Sequence, residues 1–125
     1  PEKWAMTVEQ IVGFIGVCQR TKKYMEIKKR VGYVSITDIV EHFVKPWTKG
    51  TGCSVALIFN NRRPLTAELM LSHAWKEDSE EFAAALIRAC EQNQWPLSTS
   101  AWFCAFAMYQ PGGVVLQDLL IRLIA

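Results

Sequence analysis

Residues 68–78 read Glu-Leu-Met-Leu-Ser-His-Ala-Trp-Lys-Glu-Asp, and no other stretch restricts the fold as much. Glu68 to Leu71 have strand character, Ser72-His73 form a polar corner, and a capped helix starts at Asp78. Strand, corner, helix is the order in which open α/β sheets place their ligand-facing loops, at the carboxyl ends of strands. Two apolar runs extend the pattern. Cys53 to Phe59 is almost wholly apolar, as a strand buried on both faces would be. Trp102 to Tyr109 is rich in aromatics, which favours a central strand. The spacing predicts an α/β fold with a small, mostly parallel sheet from strands near 53–59, 67–72 and 101–109. Two helices precede that sheet, and helices over 78–93 and 114–125 cover it.

The helices have their own punctuation. Thr7-Val8-Glu9-Gln10 is a capping box, and Val8, Ile11, Val12, Ile15 and Cys18 share one helical face beyond it. The character changes from Arg20 to Arg30, where six cations face a single acid, until Gly32 breaks the helix. Ser35-Ile36-Thr37-Asp38 caps a second helix, which Pro46 is expected to end. In the third, Asp78-Ser79-Glu80-Glu81 is the cap, and Phe82, Ala85, Leu86, Ala89 and Cys90 the expected buried stripe. The chain divides into a helical segment, 1–47, and an α/β unit, 48–125, which together make one compact domain.

Composition narrows the function classes. A chain of 125 residues, half apolar and 21% charged, supports one core and is not disordered throughout. A net charge of +2 is too small a bias to indicate nucleic acid by itself. The four cysteines, 18, 53, 90 and 104, lie 35, 37 and 14 residues apart, which fits no zinc motif. They read as reduced core thiols, so an intracellular reducing compartment, cytoplasm or organelle stroma, is expected. No apolar run reaches the roughly 18 residues of a membrane span.

The chemistry-bearing residues have restrained readings. Ser72 and His73 are neighbours in an extended segment, so their side chains point to opposite faces and do not share a proton. No G-x-S-x-G surrounds Ser72, and both residues are expected to hold the corner by hydrogen bonds. With His42 and His73 far apart, no metal set is expected. Lys49-Gly50-Thr51-Gly52 precedes an apolar run instead of following a strand, so it is not a phosphate loop. Arg20, Lys22, Lys23, Lys28, Lys29 and Arg30 form either a solvated helix end or a contact for an anionic partner.

Leu71-Ser72-His73-Ala74-Trp75-Lys76-Glu77-Asp78, followed by a helix and an apolar strand, resembles the start of Toll/interleukin-receptor (TIR) domains. Pro64 to Glu68 with this corner, and Trp102-Phe103-Cys104-Ala105-Phe106-Ala107-Met108-Tyr109-Gln110-Pro111-Gly112, look like uncharacterised TIR-like proteins of protists, dinoflagellates especially. His42 to Trp47 and Gly50 to Val55 are similar to their upstream segment, so the likeness spans about residues 35–112. It implies a flavodoxin-like parallel sheet, incomplete here, and a ligand-facing corner of Ser72, His73 and Trp75 with Tyr109 and Gln110 beside it. Some TIR domains hydrolyse nicotinamide adenine dinucleotide with a glutamate in a later segment, and others only assemble. That later segment has no counterpart before Ala125, so no catalytic residue and no cofactor are expected. The expected function is a non-catalytic interaction or assembly module, a peripheral subunit of a larger complex. The alternative is an NAD(P)-hydrolysing or nucleotide-binding enzyme, with NAD as its ligand.

Overall fold

Thr7 opens the first helix as its capping box predicts. Its hydroxyl accepts from the Gln10 amide at 3.1 Å, and the Gln10 side chain accepts from the Thr7 amide at 3.0 Å. The computed structural model describes residues 3–60 and 62–108. In chain order the elements are β1 (Met6–Thr7), α1 (Val8–Gln19), α2 (Lys22–Val31), α3 (Ile36–Ile39), a π-helical segment (Val40–Val44) and α4 (Lys45–Thr48). Then come α5 (Val55–Asn60), β2 (Leu69–Met70), α6 (Ser79–Asn93), β3 (Ser100–Trp102) and α7 (Cys104–Ala107). The expected helix over 114–125, and Tyr109 and Gln110, lie outside the described residues.

Helix and strand are mixed, around a sheet of order β1-β3-β2. β2 runs parallel to β3, with Leu69 opposite Ala101 and Met70 opposite Trp102. Two adjacent parallel strands joined through α6 form a βαβ unit. β1 runs antiparallel to β3, with Met6 opposite Ala101, so the sheet is mixed where the sequence predicts a mostly parallel one. A large core gathers Met6, Ile11 and Ile15 with Phe43, Val55, Phe82, Phe103 and Phe106, so both halves of the chain contribute to it, and a smaller cluster holds Trp102, Cys104, Ala107 and Met108.

Five local expectations are corrected. The run 53–59 is not a strand. Ser54 caps α5, accepting from the Leu57 amide at 3.2 Å, and burial follows a helical turn, with Val55 and Ala56 inside and Ile58 and Phe59 outside. A short apolar run carries too little periodicity to separate the two states. The run 101–109 is strand only to Trp102; α7 follows, with the Met108 amide bonded to the Cys104 carbonyl. The first helix does not run through to Gly32. It breaks before Thr21, whose hydroxyl donates to the Cys18 carbonyl at 2.8 Å and accepts from the Tyr24 amide at 3.1 Å, ending α1 and capping α2.

Pro46 does not end its helix. The ring has no N–H to give the preceding turn. Here the chain widens to a π-helical segment, in which the Lys45 amide reaches the Val40 carbonyl, and then continues as α4 to Thr48. Gly32 does stop α2, at φ 103°, a conformation that costs a residue with a Cβ more than it costs glycine. Asp78 caps α6 as predicted, its carboxylate accepting from the Glu80 amide at 2.8 Å. The buried stripe of α6 is Ser79, Phe82, Ala83, Leu86 and Cys90, so Ala85 faces outward instead.

Candidate functional site

The corner after β2 holds together through main-chain bonds to the start of α3. The Ile36 and Thr37 amides are first-turn donors with no partner inside their own helix. They bond the Glu77 carbonyl at 3.0 Å and the Trp75 carbonyl at 2.9 Å. In return the Ser79 amide and hydroxyl both donate to the Val34 carbonyl, at 2.8 and 2.7 Å. Two helix starts thus satisfy each other's unpaired backbone groups. The strand-to-helix corner is built by this exchange, and not by the Ser72 and His73 side chains.

Strand alternation sends Ser72 outward, where it is exposed, and turns His73 inward. The imidazole meets Phe103 and Trp75 edge-on, with ring centres 4.7 and 5.0 Å away, and Phe82 at 6.3 Å. Its Nε2 is 3.7 Å from the Cys104 sulfur. Burial pushes the His73 imidazole below its ordinary value, because the ring cannot be hydrated as a cation. Burial also pushes the Cys104 thiol up to about 11. A cysteine and a histidine this close suggest a nucleophile and its base, but both shifts favour the neutral forms. A reactive cysteine is instead lowered by its surroundings. The imidazole is thus packed among three aromatic rings at the corner.

The acids near the corner are occupied in different ways. Asp78 caps α6. Glu80 accepts from the Tyr24 hydroxyl at 2.7 Å and from the Lys28 ammonium at 2.9 Å. Hydrogen bonds from Lys28 and then Tyr24 hold the Glu80 carboxyl below its usual value. Burial pushes the Tyr24 phenol up to about 12. One Glu77 carboxylate oxygen and the Trp102 indole N–H are buried without a hydrogen-bond partner.

No family model, no curated protein and no solved structure matches this chain. The site therefore has to be read from its own geometry. Of the corner set, His73 and Trp75 come together, Ser72 points away, and Tyr109 and Gln110 lie outside the described residues. Of the basic set, Arg20, Lys22, Lys23, Lys29 and Arg30 are exposed, while Lys28 is tied to Glu80.

Sequence reasoning missed an aromatic surface on the other side of the core. Phe14 of α1 lies against the core ring of Phe106 at 4.7 Å, with Trp47 of α4 at 5.7 Å and Phe59 of α5 at 6.5 Å. Trp47 is 47% exposed and Phe59 50%, and Val17, one turn beyond Phe14, is 47% exposed. The only signal was the apolar spacing of Phe14 and Val17 on α1, since the other residues arrive from distant positions.

The His73 shift predicts a pH dependence. Above the ordinary histidine value of 6.5 both folded and unfolded chains carry neutral His73. As pH falls through 6.5 the unfolded chain takes up a proton first, so stability drops. Melting temperatures from pH 8 to 5 should therefore decline for the parent and stay flatter for His73→Phe. Parallel profiles would show that His73 is not the group responsible.

Proposed function

We propose that this protein is a non-catalytic interaction module whose docking face is formed by Val17, Trp47 and Phe59 around Phe14. The observation that carries the reading is the half exposure of two aromatic rings seated edge-on against a core phenylalanine. Aromatic side chains held rigid by the core and open to solvent are the residues that carry binding energy in protein interfaces. Exposed apolar clusters of this kind mark contact sites. The four residues are uncharged, so the face can meet its own copy without charge repulsion, as a two-fold interface requires. The occupant in this proposal is a second copy of the chain.

The corner supports the non-catalytic part. A neutral imidazole among aromatic rings, beside a thiol held near 11, is arranged to pack and not to react. The reading requires no cofactor, and its reduced cysteines suit an intracellular reducing compartment. The parallel β2–α6–β3 unit supports the TIR-like, flavodoxin-like expectation for that part of the chain, which stays within the proposal.

Light scattering on a concentration series tests it. The apparent mass should rise from monomer toward dimer across the micromolar to millimolar range. Trp47→Asp and Phe59→Asp should hold it at monomer while leaving the melting temperature within a few degrees, because both rings are half in water already. A parent that stays monomeric throughout would refute the self-docking proposal.

A further inference from the structure

The charge of this protein is unevenly placed. Residues 20–30 carry six cations and one acid, a net +5, in a chain whose total is +2, so the remaining residues sum to −3. The structure puts five of the six cations on α2 and Arg20 at the end of α1, just before it. Tyr24 and Ile27 are buried and fix α2 to the core, and the Lys28–Glu80 pair pins its side. Arg20, Lys22, Lys23, Lys29 and Arg30 are left facing water. Among them stands Met25, 60% exposed, with Val31 at 55% on the last turn. The aliphatic stems of Lys28 and Lys29 join Met25 and Glu26 around a shallow, mostly apolar hollow of about 380 Å³.

We propose that the outward flank of α2 adsorbs on an anionic lipid bilayer. Charge complementarity is the first argument: four unengaged cations on α2 and Arg20 just before it, with net negative charge elsewhere, orient the molecule with α2 toward a negative plane. Each basic residue close to an anionic leaflet adds roughly fivefold to partitioning. Glu26 lies inside the flank but is offset by Lys22 and Arg30, one helical turn away on either side. The apolar component is the second argument. Met25 and the lysine stems offer contact that a phosphodiester backbone does not return, whereas the headgroup–acyl boundary does. The third is the spread of the cations around the outer half of a convex helix. Mobile headgroups neutralise such a spread without matched positions, while a protein partner needs a carboxylate placed opposite each cation. α2 lies on the surface and does not insert, because its apolar side is already used by the core.

Sedimentation of the full chain with vesicles tests the proposal, using phosphatidylcholine with about 30% phosphatidylserine against phosphatidylcholine alone. The parent should bind the anionic vesicles at about 0.1 M salt, ignore the neutral ones, and be released steeply as salt rises. The quadruple exchange Lys22→Gln, Lys23→Gln, Lys29→Gln and Arg30→Gln should lower partitioning several-hundred-fold, and Met25→Ser a few-fold. If the quadruple variant melts early, the salt series on the parent carries the decision. No binding to anionic vesicles, or binding that ignores salt, would overturn the proposal. Binding to an acidic peptide or duplex DNA in place of vesicles would also overturn it. Trp47→Asp should bind vesicles like the parent, so failure of the self-docking reading and failure of this one can be told apart.

Discussion

Replacing Phe103 by alanine should cost about 3–5 kcal/mol, the largest loss expected from any single change in this protein. The ring is 1% exposed and stacks on Phe82 at 4.7 Å with only 21° between planes. It also meets Phe106 at 4.9 Å and His73 at 4.7 Å, both nearly perpendicular. Removing it opens a cavity lined by rings from α6, α7 and the corner, which are held on separate elements and cannot all close inward. Against a domain stability of about 5–15 kcal/mol this is a large fraction, and the melting temperature should fall by roughly 10–20 °C. Phe103→Leu, which refills most of the volume, should recover most of the loss. A Phe103→Ala variant melting within a few degrees of the parent would show that this cluster is not the centre of the core.

Phe14→Ala should come next, at about 3–4 kcal/mol, and it should do two things at once. Phe14 is 8% exposed, and its ring joins the core at Phe106 to the surface at Trp47 and Phe59. Its loss leaves a cavity beside Phe106 and removes the floor on which the two exposed rings are held. The variant should therefore melt roughly 10–15 °C lower and also fail to self-associate at temperatures where it is still folded. Trp47→Ala should show the second effect with little of the first. Equal stability losses in the two variants would mean that Trp47 is a core residue and not part of a docking face. Chemical denaturation beside light scattering separates the two quantities.

The helix starts at Thr7, Ser35 and Asp78 were readable because a cap is a local device. In each, the side chain that accepts and the amide that donates lie two or three residues apart, and the structure closes all three. The stop at Gly32 was readable for the same reason. The corner was located correctly, but what holds it was not. The Trp75 and Glu77 carbonyls are tied to α3 amides about forty residues earlier, and no pattern within a window of residues reveals such a bond.

The two apolar runs show where local reading stops. Cys53 to Phe59 and Trp102 to Met108 contain residues acceptable to strand and helix alike, and each is too short for its period to decide. Tertiary structure decided them differently. Asn60 at the end of α5 exchanges amide hydrogen bonds with Gln10 and donates to the Ala5 carbonyl, which holds the first run as a helix against α1. β3 pairs with β1 at Ser100 and Ala101 and with β2 at Ala101 and Trp102, and beyond it the second run turns into α7, whose Phe106 meets Phe14. The aromatic face and the Tyr24–Glu80–Lys28 contact arise in the same way, from residues 33 to 56 positions apart. By itself the sequence determined where the helices at Thr7, Ser35 and Asp78 begin and where charge concentrates, since those depend on neighbours within one turn. Whether a short apolar run becomes strand or helix, and which aromatic rings stay open to solvent, only the tertiary structure decided. Those outcomes depend on which distant surface reaches the run first and how much of it that surface covers.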